Sequence, residues 1–295
     1  MKSFYSRIAS APISWGICEV PGWGKMLPTD RVLSEMNNLG LPATELGAPG
    51  FLPSDANEIS EKLGEFEMSL IGGFTPVVVH DKNQNQETLS QVKKVAELFK
   101  KTGATHLVSS PVYSWGWDAP KPLSADEYKN MFSMFSQIDK ICEDHGLTNV
   151  LHPHLQTTVE SKDEIERVLD GCDVKWCLDT GHMAIGGVDI VEFAKNAADR
   201  VGHVHLKDVD LSKAAPVLAR KESIMAGVQK GLFTSLGSGD VPIAQVINVL
   251  ESAGYQGWYV IEQDCAITGD LPATGDGPVK MISKSMEYLK SLALN

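Results

Sequence analysis

Three short segments of the chain share one form, an apolar run that breaks into histidine, aspartate or lysine. They read LHPHLQT at residues 151–157, CLDTGHM at 177–183 and GHVHLKD at 202–208. Five of the eight histidines in the chain lie in these segments. Imidazole nitrogens and carboxylate oxygens bind divalent cations and transfer protons, so the three segments together indicate a site with chemistry.

Polar side chains at the ends of buried strands need partners. An unpaired buried polar group costs roughly 1–3 kcal/mol, and an unpaired buried charge costs more. A divalent cation would offset this cost, and the absence of cysteine ligands from the predicted set argues against a structural zinc site of the thiolate type. We therefore predict one metal ligand at each of four strand ends: His152, Asp179, His205 and Glu262.

Further histidines accompany the predicted ligands in the same segments. His154, His182 and His203 are the second members of these pairs, and we expect each to face substrate or to hold a ligand in place. A single histidine at a strand end is more often an ordinary core residue, and DTGH alone is a weak signal. The repetition of the pattern at several strand ends favours a shared site.

The elements that must position these residues are short apolar runs, each too short for a helix and too uniformly apolar for an exposed strand. Amphipathic stretches with helix-capping residues separate them, such as residues 85–103 and the stretches after Ser124 and Ser161. The candidate strands are residues 8–15, 43–47, 68–74, 105–110, 149–152, 174–179, 201–206 and 257–262.

Alternating strands and helices along the chain predict an α/β fold, a single (β/α)8 TIM barrel over residues 1–295. A doubly wound open sheet is the alternative, but it predicts a glycine-rich GxGxxG turn, which is absent. In a barrel the carboxyl ends of all strands meet at one mouth, which would bring the polar strand ends together. Long loops at about 111–123 and 210–240 follow the fourth and seventh strands on that side.

Composition disfavours several classes of function. A net charge of −12 works against nucleic acid as a partner, because an acidic surface repels phosphate backbones. No apolar run approaches the roughly 18 residues of a membrane helix, and the N-terminus does not read as a signal peptide, so we expect a cytoplasmic protein with no membrane partner. Five scattered cysteines without a CxxC pair predict free thiols.

Two features have alternative interpretations. Trp15 and the Trp115-Gly116-Trp117 run are explained equally well by core packing and by platforms on which a sugar ring stacks; we retain Trp15 as a candidate substrate contact. The SLGSGD run at residues 235–240 could cradle a phosphate, but turn chemistry ahead of the next helix explains it as well.

Taken together, the motifs resemble the xylose-isomerase-like TIM-barrel superfamily of sugar phosphate isomerases and epimerases, and within it the inosose dehydratase branch of inositol catabolism. The resemblance runs almost from end to end, through APISWG, ATELG, LHPHLQTTVES, CLDTGHMAIGG, GHVHLKDVD, GLFTSLGSGDV and GYQGWYVIEQD. It implies metal ligands at His152, Asp179, His205 and Glu262. The isomerases and epimerases typically hold Glu at the first of these positions, as one of two bases, whereas His152 resembles the dehydratase branch.

The resemblance implies a metal-dependent lyase that dehydrates an inosose (2-keto-myo-inositol) or a related keto-sugar. Its cofactor would be one divalent metal ion, Mn²⁺ or Co²⁺ first, with Zn²⁺, Fe²⁺ or Mg²⁺ as alternatives. A sugar or keto-sugar isomerase or epimerase is the nearest alternative, followed by a non-catalytic carbohydrate-binding barrel; an apurinic endonuclease is disfavoured by the acidic charge. The expected partner is a small cyclitol or sugar, and a homo-oligomer is compatible with the sequence.

Dehydration beside a carbonyl requires a base that removes a C–H proton and has a pKa near the working pH. Three residues could supply it: His182, Lys207 with its pKa lowered by a nearby cation, and Glu45. The sequence does not rank them. The expected substrate contacts are His154, His203, Trp15 and Gln156.

Overall fold

Eight short strands form a closed parallel barrel at the positions of the eight apolar runs. In the computed structural model, which describes residues 3–18 and 20–293, the strands are β1 (Ile8–Ser10), β2 (Ala43–Glu45), β3 (Ser69–Val77), β4 (His106–Pro111), β5 (Thr148–Leu151), β6 (Lys175–Asp179), β7 (Val201–Leu206) and β8 (Tyr259–Ile261). Each strand lies beside its neighbours in the chain, and β8 pairs with both β7 and β1, which closes the sheet. The predicted (β/α)8 TIM barrel is confirmed.

Helices follow the strands and form the outer layer. They are α1 (Thr29–Asn38), α2 (Ala56–Gly64), α3 (Asn85–Thr102), α4 (Ala125–Asp144), α5 (Lys162–Gly171), α6 (Thr180–Ile185), α7 (Ile190–Asn196), α8 (Ala215–Leu218), α9 (Ile224–Gln229), α10 (Ile243–Ser252) and α11 (Pro278–Ser291). Ser124 forms a capping box with Glu127 at the start of α4, and Gly103 ends α3 with a φ of 78°. Among the described residues, no helix has both the length and the apolar character to cross a bilayer.

The two faces of each strand have different surroundings, because side chains alternate along a strand. On β6 and β7, Leu178 and Val204 pack into the large apolar core between the strands and the helices. The alternate positions on the same strands, which include Cys177, Asp179 and His205, therefore face the barrel interior. This alternation carries the polar residues of the predicted site inward.

The chain turns after β1 instead of continuing as a strand to residue 15. Pro12 begins a 3-10 turn over Pro12–Trp15, and Gly16 ends the turn with a φ of 80°. Proline has no N–H for a strand ladder, which is why the strand stops earlier than its apolar sequence predicts. Other 3-10 turns lie at Phe4–Arg7, Lys82–Gln84, Ala198–Arg200 and Leu211–Lys213.

The long connection after β7 holds α8, α9 and a short antiparallel pair, Asp208–Val209 with Phe233–Thr234. The carboxylate of Asp208 accepts backbone N–H groups from Gly237 and Gly239 at 2.8 and 3.0 Å, and from Val241 at 3.1 Å. The N–H groups of Gly237 and Gly239 belong to SLGSGD, and a phosphate cradle in this run would need them. Of the two interpretations of this run, the structure therefore favours turn chemistry.

Candidate metal centre and active site

Four side chains from neighbouring strands meet at the mouth of the barrel. Their exposed fractions lie between 0% and 8%, and each contributes one nitrogen or oxygen atom to a group whose members are all within 4.8 Å of one another. They are His152 just after β5, Asp179 at the end of β6, His205 near the end of β7 and Glu262 just after β8. The structure thus brings together the four residues that the sequence predicts as metal ligands.

The two oxygens of Asp179 have separate tasks. Oδ1 accepts the backbone N–H groups of Gly181 and His182 at 2.9 and 2.7 Å, which caps the N-terminus of α6. Oδ2 lies 3.1 Å from Nε2 of His152 and 3.7 Å from Nδ1 of His205. The cap therefore fixes the carboxylate so that its second oxygen points at both imidazoles.

His205 turns one ring nitrogen to each side. Its Nδ1 lies 3.1 Å from Oε2 of Glu262, and this buried nitrogen has no hydrogen-bond partner of good geometry. Burial opposes a charged ring, but Cys177, Glu262 and Glu45 around it outweigh burial and raise the pKa of His205 well above its usual range. The surroundings of His205 therefore favour a positive charge at this position.

The donor set fits a divalent cation. It offers imidazole nitrogens and carboxylate oxygens, which suit Mn²⁺, Fe²⁺, Co²⁺ or Zn²⁺. Nδ1 of both His152 and His205 is buried without a hydrogen-bond partner, and such atoms cost free energy unless a ligand satisfies them. A bound cation at this centre would satisfy at least one orphaned nitrogen and would neutralise carboxylate charge.

Glu45 and His203 contact each other in the buried barrel interior beside His205, and the roles predicted for them as base and substrate contact stay predictions. Glu45 is 2% exposed, and its Oε1 accepts from Nε2 of His203 at 2.9 Å and from Nε2 of His205 at 3.0 Å. Burial alone would raise the pKa of Glu45, but the charge and hydrogen bonds of His205 and His203 lower it far below its usual range. The lowered pKa makes Glu45 a weak base, and His203 is 0% exposed and bonded to Glu45.

Lys207 lies between two buried carboxylates, a setting that opposes the lowered pKa expected for it as a base. Its Nζ is 2.8 Å from Oε1 of Glu262 and bonds Oδ1 of Asp264. Burial would lower the pKa of Lys207, but Asp264 and Glu262 more than compensate and raise it. Sequence reasoning missed Asp264, although its spacing of two from Glu262 after a strand was the available signal.

His154 and His182 form a neutral imidazole pair beside the centre, with ring centroids 4.0 Å apart. Burial, His152 and Lys207 lower the pKa of His154 to about 3, and burial, His154 and Lys207 lower that of His182 well below its usual range. His154 donates Nδ1–H to the carbonyl of Leu155 at 2.7 Å, so its Nε2 is a free acceptor. His182 is 1% exposed with neither ring nitrogen hydrogen-bonded.

Trp15 is a core residue and not a stacking platform, a further correction. It is 0% exposed, and its indole N–H donates to Oε2 of Glu35 at 2.9 Å. The aromatic surface at the mouth belongs instead to Phe74 and Trp117, which are 37% and 42% exposed and stack at 5.9 Å with an angle of 15°. Phe74 also meets the ring of His154 edge-on at 6.1 Å. The sequence left Trp117 open between core packing and a stacking platform, and it gave no signal for Phe74.

Comparison with known proteins agrees with this architecture. A family model described as the xylose isomerase-like TIM barrel matches residues 19–292. The chain belongs to this family. It is 32% identical over 275 residues to the inosose dehydratase of Geobacillus kaustophilus (strain HTA426), an alignment that covers 88% of this chain and 89% of the relative.

Two solved structures show the same xylose isomerase-like fold. The probable 3-DHS dehydratase AsbF from Bacillus anthracis has a TM-score of 0.72 at 13% identity, over 97% of this chain and 100% of its own. The IolI protein, solved with a bound zinc atom, has a TM-score of 0.70 at 15% identity, over 97% of each chain. At these identities the likeness establishes the fold.

Two of the loops that follow strands meet through an ion pair. Arg220, in the long connection after β7, forms an ion pair with Glu160, which follows β5, and Oε2 of Glu160 accepts the backbone N–H of Gln156 at 2.7 Å. Gln156 and Arg220 have left-handed backbones, with φ of 65° and 56°. Such strain in residues other than glycine is typical of functional loops. Gln156 is half-buried beside this contact, and its role toward substrate stays a prediction.

Proposed function

We propose that the protein is a metal-dependent carbon–oxygen lyase that dehydrates an inosose or a closely related keto-cyclitol. The observation that carries the proposal is His152, an imidazole at the ligand position where the resembling epimerases hold a glutamate base. The 32% identical relative is named an inosose dehydratase, and its alignment spans most of both chains. An epimerase needs one base for each face of the carbon, and His152 cannot replace the missing carboxylate while its ring lies against Asp179.

His152, Asp179, His205 and Glu262 are the residues that would hold one divalent cation, with Mn²⁺ or Co²⁺ as our first choices. A cation bound there would act as a Lewis acid that polarises the substrate carbonyl and stabilises the negative charge developing beside it. The chain's own contribution is a buried pocket of fixed donors, in which electrostatic interactions are stronger than in water.

We assign the general base to His182. Its ring centroid lies 5.7 Å from that of His152 and neither ring nitrogen is hydrogen-bonded to a described residue, so a nitrogen is free to accept the proton from the carbon next to the carbonyl. Burial, His154 and Lys207 lower the pKa of His182 and make it a weak base, so proton removal relies on the acidity that a cation bound at the carbonyl would give to the adjacent carbon. The protonated ring can then return that proton to the departing hydroxyl, which leaves as water while the carbon–carbon double bond forms. Nearby Asp179 favours the charged ring between these two steps.

His154 and Lys207 bind and orient substrate in this scheme. Because Nδ1–H of His154 is committed to Leu155, its Nε2 accepts a substrate hydroxyl proton and cannot donate one. The ammonium of Lys207, held between Glu262 and Asp264, supplies fixed positive charge near the developing oxyanion. We place the apolar face of the cyclitol ring against Phe74 and Trp117, since carbohydrate rings stack on aromatic surfaces.

One assay tests the proposal and separates it from the alternatives. The protein is stripped of metal, reloaded with Mn²⁺ or Co²⁺ and mixed with scyllo-inosose, and product is followed by ultraviolet absorbance and mass spectrometry. A lyase gives an absorbing dione that has lost one water, and the stripped protein gives none. Product of unchanged mass would mean an isomerase or epimerase, and binding without turnover a carbohydrate-binding barrel. Cytoplasmic location and assembly into a homo-oligomer stay predictions.

A further inference from the structure

The contacts of Glu45 beneath the metal centre indicate a role other than the base role that the sequence predicts for it. Glu45 lies on β2 and His205 on β7, with β1 and β8 between them in the closed sheet, so the carboxylate reaches His205 across the barrel interior. It is 2% exposed and bonds only histidine nitrogens among the contacts described. A buried carboxylate in this position acts on the neighbouring ligand and not on substrate.

The hydrogen bond from His205 to Glu45 decides which ring nitrogen carries the proton. Oε1 of Glu45 lies 2.9 Å from Nε2 of His203 and 3.0 Å from Nε2 of His205, and one carboxyl oxygen that faces two imidazole nitrogens is placed to accept from both, so we assign a hydrogen atom to Nε2 of His205. Nδ1 then remains for coordination, and it is the nitrogen that lies 3.1 Å from Glu262 and 3.7 Å from Asp179. Tautomer and ring orientation are therefore set by the same contact.

His203 holds the carboxylate in place. Its Nε2 donates to the same Oε1 atom at 2.9 Å, and His203 and His205 are two residues apart on β7, on the same face of the strand. Beneath, the ring of His106 packs on that of His203 at 4.9 Å between centroids. The oxygen that faces His205 is thus bound by two imidazoles of one strand and cannot turn toward the mouth.

We infer that Glu45 is a positioning residue that fixes the Nε2–H tautomer of His205 and directs Nδ1 into the metal centre, with His203 as its brace. The inference rests on the metal centre of the proposed function but not on the dehydration reaction. Hydrogen-bond partners of this kind typically change metal affinity by 10–100-fold when they are removed, because they set ligand orientation and basicity.

The first test is metal affinity in Glu45→Gln, which keeps the side-chain shape and removes the charge. We expect the dissociation constant of the Glu45→Gln protein for Co²⁺, measured by competition with a chelator, to rise about 10–100-fold. The visible absorption spectrum of its bound Co²⁺ should also differ from that of the wild type. Glu35→Gln is the matched control, because Glu35 is also a buried carboxylate, 4% exposed, but it bonds Trp15 and Arg31 away from the centre. Wild-type affinity and spectrum in Glu45→Gln would overturn the inference.

The second test uses the wild-type protein and so does not depend on the folding of a variant. Long-range ¹H–¹⁵N NMR of the Zn²⁺-loaded protein reports which nitrogen of His205 is protonated and which binds metal. We expect a proton on Nε2 and coordination through Nδ1, and the opposite assignment would refute the tautomer. A protein that binds Co²⁺ or Zn²⁺ but does not dehydrate scyllo-inosose would contradict the proposed function alone, whereas one that binds neither metal would contradict both.

Discussion

The separate tasks of the two Asp179 oxygens predict different outcomes for two substitutions. Asp179→Ala removes both the metal-facing Oδ2 and the Oδ1 that caps α6 through Gly181 and His182. Loss of an N-cap costs about 0.5–2 kcal/mol of unfolding free energy. Asp179→Asn keeps an oxygen for the cap but places an NH₂ donor where Oδ2 faced the centre, so it should lose metal with a smaller loss of stability.

Metal content and stability measured on the same samples separate these effects. Elemental analysis after dialysis against Co²⁺ should show less than about a tenth of an equivalent of Co²⁺ in both variants. Each substitution removes one of the two carboxylates from a set of four metal ligands. Urea unfolding of the metal-free proteins should place Asp179→Ala about 0.5–2 kcal/mol below wild type, with Asp179→Asn closer to wild type. A full equivalent of Co²⁺ bound to Asp179→Ala would refute the metal centre as described. Asp179 would then be only the residue that caps α6.

Three other substitutions have distinct expected outcomes. His154→Ala should keep a full equivalent of metal and lower kcat/KM by about tenfold or more, because it removes one hydrogen bond to substrate; loss of metal instead would make His154 a ligand. Lys207→Met should destabilise the metal-free protein by about 3–5 kcal/mol in urea unfolding, since it removes the buried cation that pairs with both Glu262 and Asp264, and an unchanged midpoint would contradict that pairing. Arg220→Ala removes the contact between the two loops and should speed the extraction of metal by a chelator several-fold. Lys213→Ala is the control, because it breaks an exposed ion pair in the same loop. Equal extraction rates in the two variants would show that the Arg220 contact does not restrict access to the metal.

The convergence of the four candidate ligands could be predicted because parallel strands of a closed barrel end at one mouth. His152, Asp179, His205 and Glu262 are far apart in the chain, yet each stands at a strand terminus, and parallel strands in a closed barrel place their termini together. Side-chain alternation along a strand then predicts which residues face inward. Neither step requires knowledge of a side-chain contact, so sequence reasoning was sufficient to bring these four residues together, while their role as metal ligands stays a prediction.

The roles of the neighbouring residues depend on which carboxylate pairs with which base, and the sequence does not contain that information. A neighbouring cation alone would lower the pKa of Lys207, but its Nζ contacts Asp264 and Glu262, which raise that pKa. Glu45 lies opposite β7 across the barrel, and only closure of the sheet shows that it contacts His205. Trp15 was misplaced because the 3-10 turn after Pro12 redirects it into the core.

The position of Lys207 also argues for one metal ion and not two. A second donor group, His154, His182 and Asp264, has atoms within 4.8 Å of one another, so geometry alone would admit another cation. The ammonium of Lys207 already pairs with Asp264, so the one carboxylate of this group is committed to another cation. Burial first, then a neighbouring histidine and Lys207, lower the pKa of both imidazoles, so a further positive charge is opposed there. A neutral hydroxyl meets no such penalty. Titration with Co²⁺ should therefore end at one equivalent per chain, and a second tight equivalent that disappears in Asp264→Asn would show that Asp264 exchanges its lysine for a metal.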